Sequence, residues 1–317
     1  MKLAILDAHA DNPGDLSWDS FKEFADVVLY DRTSSNDVIN RIGDADAIFV
    51  NKVQITEEIL QKAPKLKYIG VCATGYNVID LDACSKRNII VTNIPAYSTN
   101  AVAQHVFALI TNFSNNVSLH NQSVHAGEWI KSPDFVYWKE PLFELAGKTL
   151  GIFGYGAIGS KVAEIGKAFG MKIICNTRTK KPGMPEFVSF EELLKEADIL
   201  TLHAPLTDLT KNIINKESLS LMKKSAYLIN TARGGFVVEK DLAECLKAGG
   251  IAGYAADVIA TEPMLPDCPL LNCPNCVLTP HIAWAPKETR KRLLDIAYEN
   301  FKAWIDGHPI NVVNTIA

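Results

Sequence analysis

The sequence predicts an α/β protein built from two doubly wound parallel sheets, and three observations predict it. Short apolar runs alternate with helical patterns along almost the whole chain, as in parallel strands wrapped by helices on both faces. At 317 residues the chain is too long for one ordinary core. A glycine-rich turn, Gly154-Tyr155-Gly156-Ala157-Ile158-Gly159, stands between an apolar run and a helical pattern.

The elements follow in order. Lys2 to Asp7 (KLAILD) reads as a buried strand, and Pro13-Gly14 leads to a helix near Trp18 to Ala25. Val27 to Tyr30, Ala47 to Val50, Tyr68 to Cys72 and Ile89 to Thr92 read as further strands. Helices over Asn36 to Ile42 and Ile55 to Lys62 lie between them, the second stopped by Pro64. From Thr99 to His120 the spacing of Val102, Val106, Leu109, Ile110 and Phe113 predicts one long helix. The segment Ser114 to Glu144 is rich in aromatics, with Trp129, Phe135, Tyr137, Trp138 and Phe143, and reads as an intersubunit arm or an active-site cover, with the arm of a homodimer expected first. Later strands are expected at Ile199 to His203, Ala226 to Asn230, Gly253 to Val258 and Val277 to Thr279. A charged amphipathic helix from Lys287 to about Gly307 is expected to return to the first domain. The domains are therefore placed at 1–98 plus 288–317 and at 99–287.

Composition excludes several classes of protein. Hydrophobic content of 48% with 21% charged residues describes a globular chain rather than a disordered one. A net charge of −4 offers no global attraction to nucleic acid or to an anionic membrane. The N-terminus carries Asp7, Asp11 and Pro13, unlike a signal peptide, and no apolar run approaches the roughly twenty residues of a membrane span. Seven cysteines, an odd count, point to reduced thiols in the cytoplasm. Cys268, Cys273 and Cys276 have the spacing of a zinc or iron–sulfur half-site. No cysteine follows to complete one, so CPLLNCPNC reads as a proline-rich loop and no metal is expected.

The glycine turn carries the clearest chemistry. Thr149 to Phe153 enters it, a helix with Ile158, Val162, Ile165 and Phe169 on one face leaves it, and Met171 to Cys175 is the next strand. Gly154 would allow the tight turn, Gly156 the approach of a pyrophosphate, and Gly159 close packing of helix on strand. The free N–H groups of the helix N-terminus would receive the phosphates. Polar residues at the carboxyl ends of the later strands come next, because ligands of doubly wound sheets bind there. Thr231-Ala232-Arg233-Gly234-Gly235 follows AYLIN, Asp257 ends GYAAD with Glu262 beyond it, and His281 follows VLTP.

Taken together, GYGAIG, LHAPLT, NTARGG, DVIATEP and TPHIAWA, with VCATGYNVID earlier, resemble the D-isomer-specific 2-hydroxyacid dehydrogenase family over essentially the full length. The HIAWAP and NPGDLSWD stretches are most similar to its glycerate dehydrogenases, also called hydroxypyruvate reductases. The resemblance implies a Rossmann cofactor domain, a flavodoxin-like substrate domain, and reduction of a small 2-keto acid to the D-2-hydroxy acid. It implies His281 as acid/base, Glu262 as the partner that orients it, and Arg233 as the clamp on carboxylate and carbonyl. It also implies that Ala73, Thr74 and Gly75 present N–H groups to the carboxylate and that the cleft closes on substrate. Trp284 is expected to shape the pocket. Cofactor contacts are implied at Thr99, the turn residues Gly154, Tyr155, Gly156, Ala157, Ile158 and Gly159, and at His203, Ala204, Pro205, Thr231, Ala232 and Asp257.

Enzymes preferring NAD place a carboxylate at the end of the second strand to hold the ribose 2′-hydroxyl. By alignment with family members reading GYDP or AYDR, that position is Thr177. Arg178, Thr179, Lys180 and Lys181 follow, and basic groups there would pair with a 2′-phosphate, so NADP is expected ahead of NAD. Two rivals are weighed. Formate dehydrogenases of the superfamily pair the histidine with glutamine, whereas Glu262 stands here. Transcriptional corepressors share the motifs but carry extra terminal segments, which argues for an enzyme.

Overall fold

The computed structural model describes residues 1–180 and 182–315. The chain forms two compact units: Met1–Ser98 together with the segment from Ala285 onward, and Thr99–Trp284.

The first unit holds a five-stranded parallel sheet in the order β2-β1-β3-β4-β5. Its strands are β1 (Lys2–Ile5), β2 (Asp26–Leu29), β3 (Ala47–Val50), β4 (Tyr68–Val71) and β5 (Ile90–Thr92). Short helices α1 (Ala8–Asp11), α2 (Val38–Ile42), α3 (Glu57–Gln61) and α4 (Leu81–Lys86) connect them. β3 and β4 are buried at every position, as central strands covered on both faces must be. Gly70 on β4 sits opposite Phe49 on β3, and a Cβ there would stand 2.1 Å from the phenyl ring. The helix expected near Trp18 to Ala25 is instead a single 3-10 segment, Asp19–Glu23. Ser17 Oγ accepts the Asp19 N–H at 3.0 Å, a local side-chain bond that competes with helix extension.

The second unit holds a seven-stranded parallel sheet in the order β12-β11-β10-β9-β6-β7-β8. Its strands are β6 (Thr149–Phe153), β7 (Lys172–Asn176), β8 (Glu186–Phe187), β9 (Ile199–Leu202), β10 (Tyr227–Asn230), β11 (Gly253–Ala256) and β12 (Cys276–Leu278). Helices α5 (Thr99–Asn115), α6 (Val117–His125), α7 (Ala157–Ala168), α8 (Phe190–Glu196), α9 (Lys216–Leu221) and α10 (Glu239–Lys247) complete it. Ala103, Val106 and Ile110 of α5 join Val162 and Ala163 of α7 over one face of the sheet. Leu193, Leu219, Leu242 and Leu246 from α8, α9 and α10 cover the other. The chain builds outward from β6 through β7 and β8, then lays β9 on β6's other side. That reversal makes the carboxyl ends of β6 and β9 a topological switch point.

The long helix expected over Thr99 to His120 is broken at Asn116, which adopts a left-handed φ of 48° between α5 and α6. Asparagine tolerates this conformation, and its Nδ2 donates to the Phe113 carbonyl at 3.1 Å. Phe169, expected on the buried face of α7, is its C-cap and stays 43% exposed, stacked on Phe107.

Beyond α6 the aromatic segment is held by its own polar groups. Tyr137 Oη and Ser123 Oγ lie 2.7 Å apart, Lys139 pairs with Glu128 at 2.7 Å, and Trp129 Nε1 donates to the Phe135 carbonyl at 3.1 Å. Ile130, Phe135 and Trp138 point outward, while Phe143 stacks on Tyr227.

The last helix, α11 (Lys287–Ile305), belongs to the first unit. Phe301 packs on Phe21, Phe49 and Tyr68, and Arg290 forms a two-pronged ion pair with Asp15 at 2.6 and 2.8 Å. Among the described residues no helix is long and apolar enough to cross a membrane, and no cluster of side chains is arranged to hold a metal.

Candidate active site

β6 delivers the chain into the glycine turn at Gly154, whose φ of +96° only glycine adopts without strain. A Cβ on Gly154 would also lie 2.4 Å from the Ala204 nitrogen and 2.6 Å from the His203 carbonyl carbon. The turn is thus pressed against the end of β9. A Cβ on Gly159 would meet the Gly154 oxygen at 2.2 Å, so α7 packs on its own entry turn. Gly156 differs: a Cβ there would meet nothing within 4 Å. It caps α7 with no side chain across the helix N-terminus, beside Tyr155, Ala157 and Ile158. This is open space of the kind a pyrophosphate needs at a helix N-terminus.

The end of β7 is built differently. The Asn176 carbonyl accepts the Gly154 N–H at 2.8 Å, and its side chain donates to the Val188 carbonyl. Thr177 is half-buried, and Arg178, Thr179 and Lys180 are exposed. Lys180 Nζ lies 3.8 Å over the Phe187 ring, and Arg178 makes no ion pair among the described residues. Lys181 lies outside the described residues.

At the end of β9, His203 Nε2 shares a 2.8 Å hydrogen bond with the fully buried Thr201 hydroxyl. Desolvation pushes its pKa down to about 3, so the ring is neutral. Ala204 and Pro205 continue the edge. At the end of β10, the buried Asn230 side chain accepts the Ala232 N–H at 3.1 Å and donates to the Arg233 carbonyl at 2.9 Å. These bonds shape the turn that presents Arg233 to solvent, where its Nη1 donates to the Ala232 carbonyl. The Thr231 Oγ1 is buried with no hydrogen-bond partner. A Cβ on Gly234 would fall 1.9 Å from the Ile259 carbonyl carbon, so the arginine turn and the loop after β11 touch backbone to backbone.

That loop carries Glu262. Its Oε2 lies 2.6 Å from His281 Nδ1, and its Oε1 accepts the Ile259 N–H at 3.2 Å. A carboxylate at Nδ1 fixes the proton there and leaves Nε2 as the nitrogen that exchanges protons. His281 itself has a left-handed φ of 56°, costly for a residue with a side chain. Asp257, 1% exposed, holds the backbone in this shape. It accepts the Ile282 N–H at 2.9 Å, the Ala283 N–H at 2.8 Å and the Thr279 hydroxyl at 2.5 Å. His105 of α5 closes the network, with Nε2 2.9 Å from Thr279 Oγ1 and 3.5 Å from Asp257 Oδ1.

The second unit therefore gathers the glycine turn, His203, Thr231, Arg233, Asp257, Glu262 and His281 at the carboxyl ends of one sheet. Thr99 opens α5 and Trp284 follows the His281 loop. Ala73, Thr74 and Gly75 belong to the first unit, where Thr74 Oγ1 donates to the Ile94 carbonyl and the Thr74 carbonyl accepts from Asn93 Nδ2, both at 2.8 Å. Sequence reasoning missed His105, Asn230 and Thr279. The first two had a signal: each is a polar residue in an otherwise apolar strand or helix face. Thr279 acts through bonds that leave no pattern along the chain.

The open space at Gly156 and the partnerless Thr231 hydroxyl are what a dinucleotide would fill, and the residues present fit that group. A dinucleotide turn at a switch point, in one sheet with a histidine held by a carboxylate, is the arrangement of a nicotinamide-dependent oxidoreductase. The chain belongs to the D-isomer specific 2-hydroxyacid dehydrogenases: residues 107–283 match the NAD-binding domain of that family. It is 44% identical to the hydroxypyruvate reductase of Blautia hydrogenotrophica over 99% of this chain and 100% of that protein. Two solved structures share the fold. A D-lactate dehydrogenase from Aquifex aeolicus, complexed with NAD and lactic acid, matches with a TM-score of 0.87 at 33% identity over 100% of both chains. An NADPH-dependent glyoxylate/hydroxypyruvate reductase from Sinorhizobium meliloti, complexed with NADP and malonate, matches with a TM-score of 0.84 at 29% identity, covering 98% of this chain and 96% of the other.

Proposed function

We propose that this chain reduces hydroxypyruvate or glyoxylate to the corresponding hydroxy acid (D-glycerate from hydroxypyruvate), with NADPH as the preferred donor. The observation that carries the reading is the 2.6 Å contact between His281 Nδ1 and Glu262 Oε2. When bound, the nicotinamide supplies the hydride to the keto carbon. His281 gives its Nε2 proton to the keto oxygen as negative charge develops there. Glu262 keeps the ring oriented by its contact with Nδ1. Arg233 binds the substrate carboxylate and polarises the carbonyl. Backbone N–H groups of Ala73, Thr74 and Gly75 are assigned a share in carboxylate binding, and Trp284 a share in shaping the pocket, on family resemblance.

NADPH is preferred because the end of β7 offers Thr177 where a carboxylate would repel a 2′-phosphate, with Arg178 and Lys180 exposed beside it. The NADP complex of the Sinorhizobium meliloti relative supports the same choice. The outward-facing Ile130, Phe135 and Trp138 support a homodimer, and seven free cysteines suit the reducing cytoplasm. The test is a panel of hydroxypyruvate, glyoxylate, pyruvate and phenylpyruvate, each with NADPH and NADH, followed by loss of reduced-nicotinamide absorbance. The highest kcat/KM is expected for hydroxypyruvate or glyoxylate with NADPH. A flat response throughout would favour a nucleotide-sensing binding protein.

A further inference from the structure

The loop from Ile259 to Glu262 must hold a carboxylate within 2.6 Å of an imidazole while lying largely exposed. Three features fix it. Gly234 lets the neighbouring turn touch Ile259, and Glu262 folds its own Oε1 back onto the Ile259 N–H. The third comes from outside the loop. Glu239, in the first turn of α10, accepts the Ala260 N–H with Oε1 at 2.8 Å. Its other oxygen, Oε2, accepts the Cys268 thiol at 3.8 Å, a sulfur distance. One carboxylate thus joins the helix after the Arg233 turn, the base of the Glu262 loop, and the cysteine-containing segment beyond it.

We infer that Glu239 is a positioning residue for the His281–Glu262 pair, acting on catalysis only through the placement of Glu262. The inference rests on the proposed acid/base role of that pair. A helix start gives Glu239 a fixed origin, and a charge-assisted bond to a backbone N–H sets the loop's distance from the helix. Because Ala260 is exposed, water can take its N–H when Glu239 is removed. Stability then changes little, whereas the geometry at His281 is lost. A purely structural anchor would show the opposite balance.

The experiment compares Glu239→Ala, Glu239→Gln, Glu262→Ala and the Glu239→Ala/Glu262→Ala double variant by kcat, KM for NADPH, and Tm. By analogy with the outer partners of metal-binding histidines, Glu239→Ala should lower kcat by about tenfold with KM for NADPH unchanged. Glu239→Gln keeps an acceptor oxygen and should retain most of the activity. The double variant should be no slower than Glu262→Ala alone, because with no side chain at position 262 to reach His281, Glu239 has nothing left to position. An unchanged kcat in Glu239→Ala, or fold-losses that multiply in the double variant, would overturn the inference. Should Glu239→Ala not fold, Glu239→Asp, one methylene shorter, is read in its place with the same expected loss. The proton NMR signal of the His281 Nδ1–H in the wild-type protein and in Glu239→Ala is followed without turnover. A signal that weakens in the variant while the wild type reduces no keto acid would retire the proposed reaction and keep the positioning role. A signal unchanged by the substitution would sink the positioning role itself.

Discussion

Two ends of the same seven-stranded sheet are built on opposite plans. At β11 and β12, Asp257 gathers two backbone N–H groups and a hydroxyl, and Glu262 holds His281. These bonds surround a left-handed backbone at His281. At the end of β7, Thr177 to Lys180 lie half-buried or exposed, with Lys180 resting on Phe187. The first arrangement holds His281, the proposed proton donor, within tight limits. The second leaves the cations proposed to meet a 2′-phosphate exposed. Proton transfer depends on angles and tenths of an ångström, whereas recognition of a phosphate tolerates mobile cations. The chemistry should therefore break under small changes at β11 and β12, and cofactor choice should be tunable at β7.

The largest effect is expected for His281→Asn, which should bind NADPH, read by its fluorescence, yet lose on the order of 10³ in kcat, the contribution of a positioned acid. Near-normal turnover would remove the rigid end from the mechanism. Arg233→Ala comes next, with about 10²–10³ lost in kcat for removal of a charge-stabilising donor. A rise in KM alone, with kcat preserved, would assign Arg233 to binding only. At the other end, Thr177→Asp with Arg178→Ala should cut kcat/KM for NADPH by roughly ten- to hundredfold, the worth of hydrogen bonds to a charged group. The NADH value should hold or rise. Equal losses with both cofactors would mean the end of β7 is structural. The smallest changes concern two of the three glycines of the turn. Gly159→Ala meets the Gly154 oxygen and should cost about 1–3 kcal/mol of stability. Gly156→Ala should keep its Tm and weaken cofactor binding instead. Matching losses of Tm in both would show that the space at Gly156 is not a binding space.

Both ends could be located from sequence, but only one could be described. The glycine turn declares itself because backbone geometry demands glycine at Gly154 and Gly159, and steric need is written directly in residue type. His281, Asp257 and Arg233 were found because strands end in recognisable apolar runs. What joins them was not legible. Asp257 reads as one acid at a strand end, and nothing in the order of residues tells that it brackets the backbone after His281 or that His105 stands behind it. Glu239 reaches Ala260 across 21 residues, with no periodicity to mark it. The break at Asn116 escaped for a related reason: the apolar spacing of α5 gives no sign of a left-handed residue at its end.

The most direct measurement adds hydroxypyruvate to the enzyme with NADPH, follows oxidation of the nucleotide, and determines the configuration of the product. The wild-type protein should yield D-glycerate only, and His281→Asn should leave NADPH bound and unspent. Equal rates in the two proteins would contradict a proton donor at His281, and L-glycerate or a racemic product would contradict hydride delivery to the face that yields the D acid.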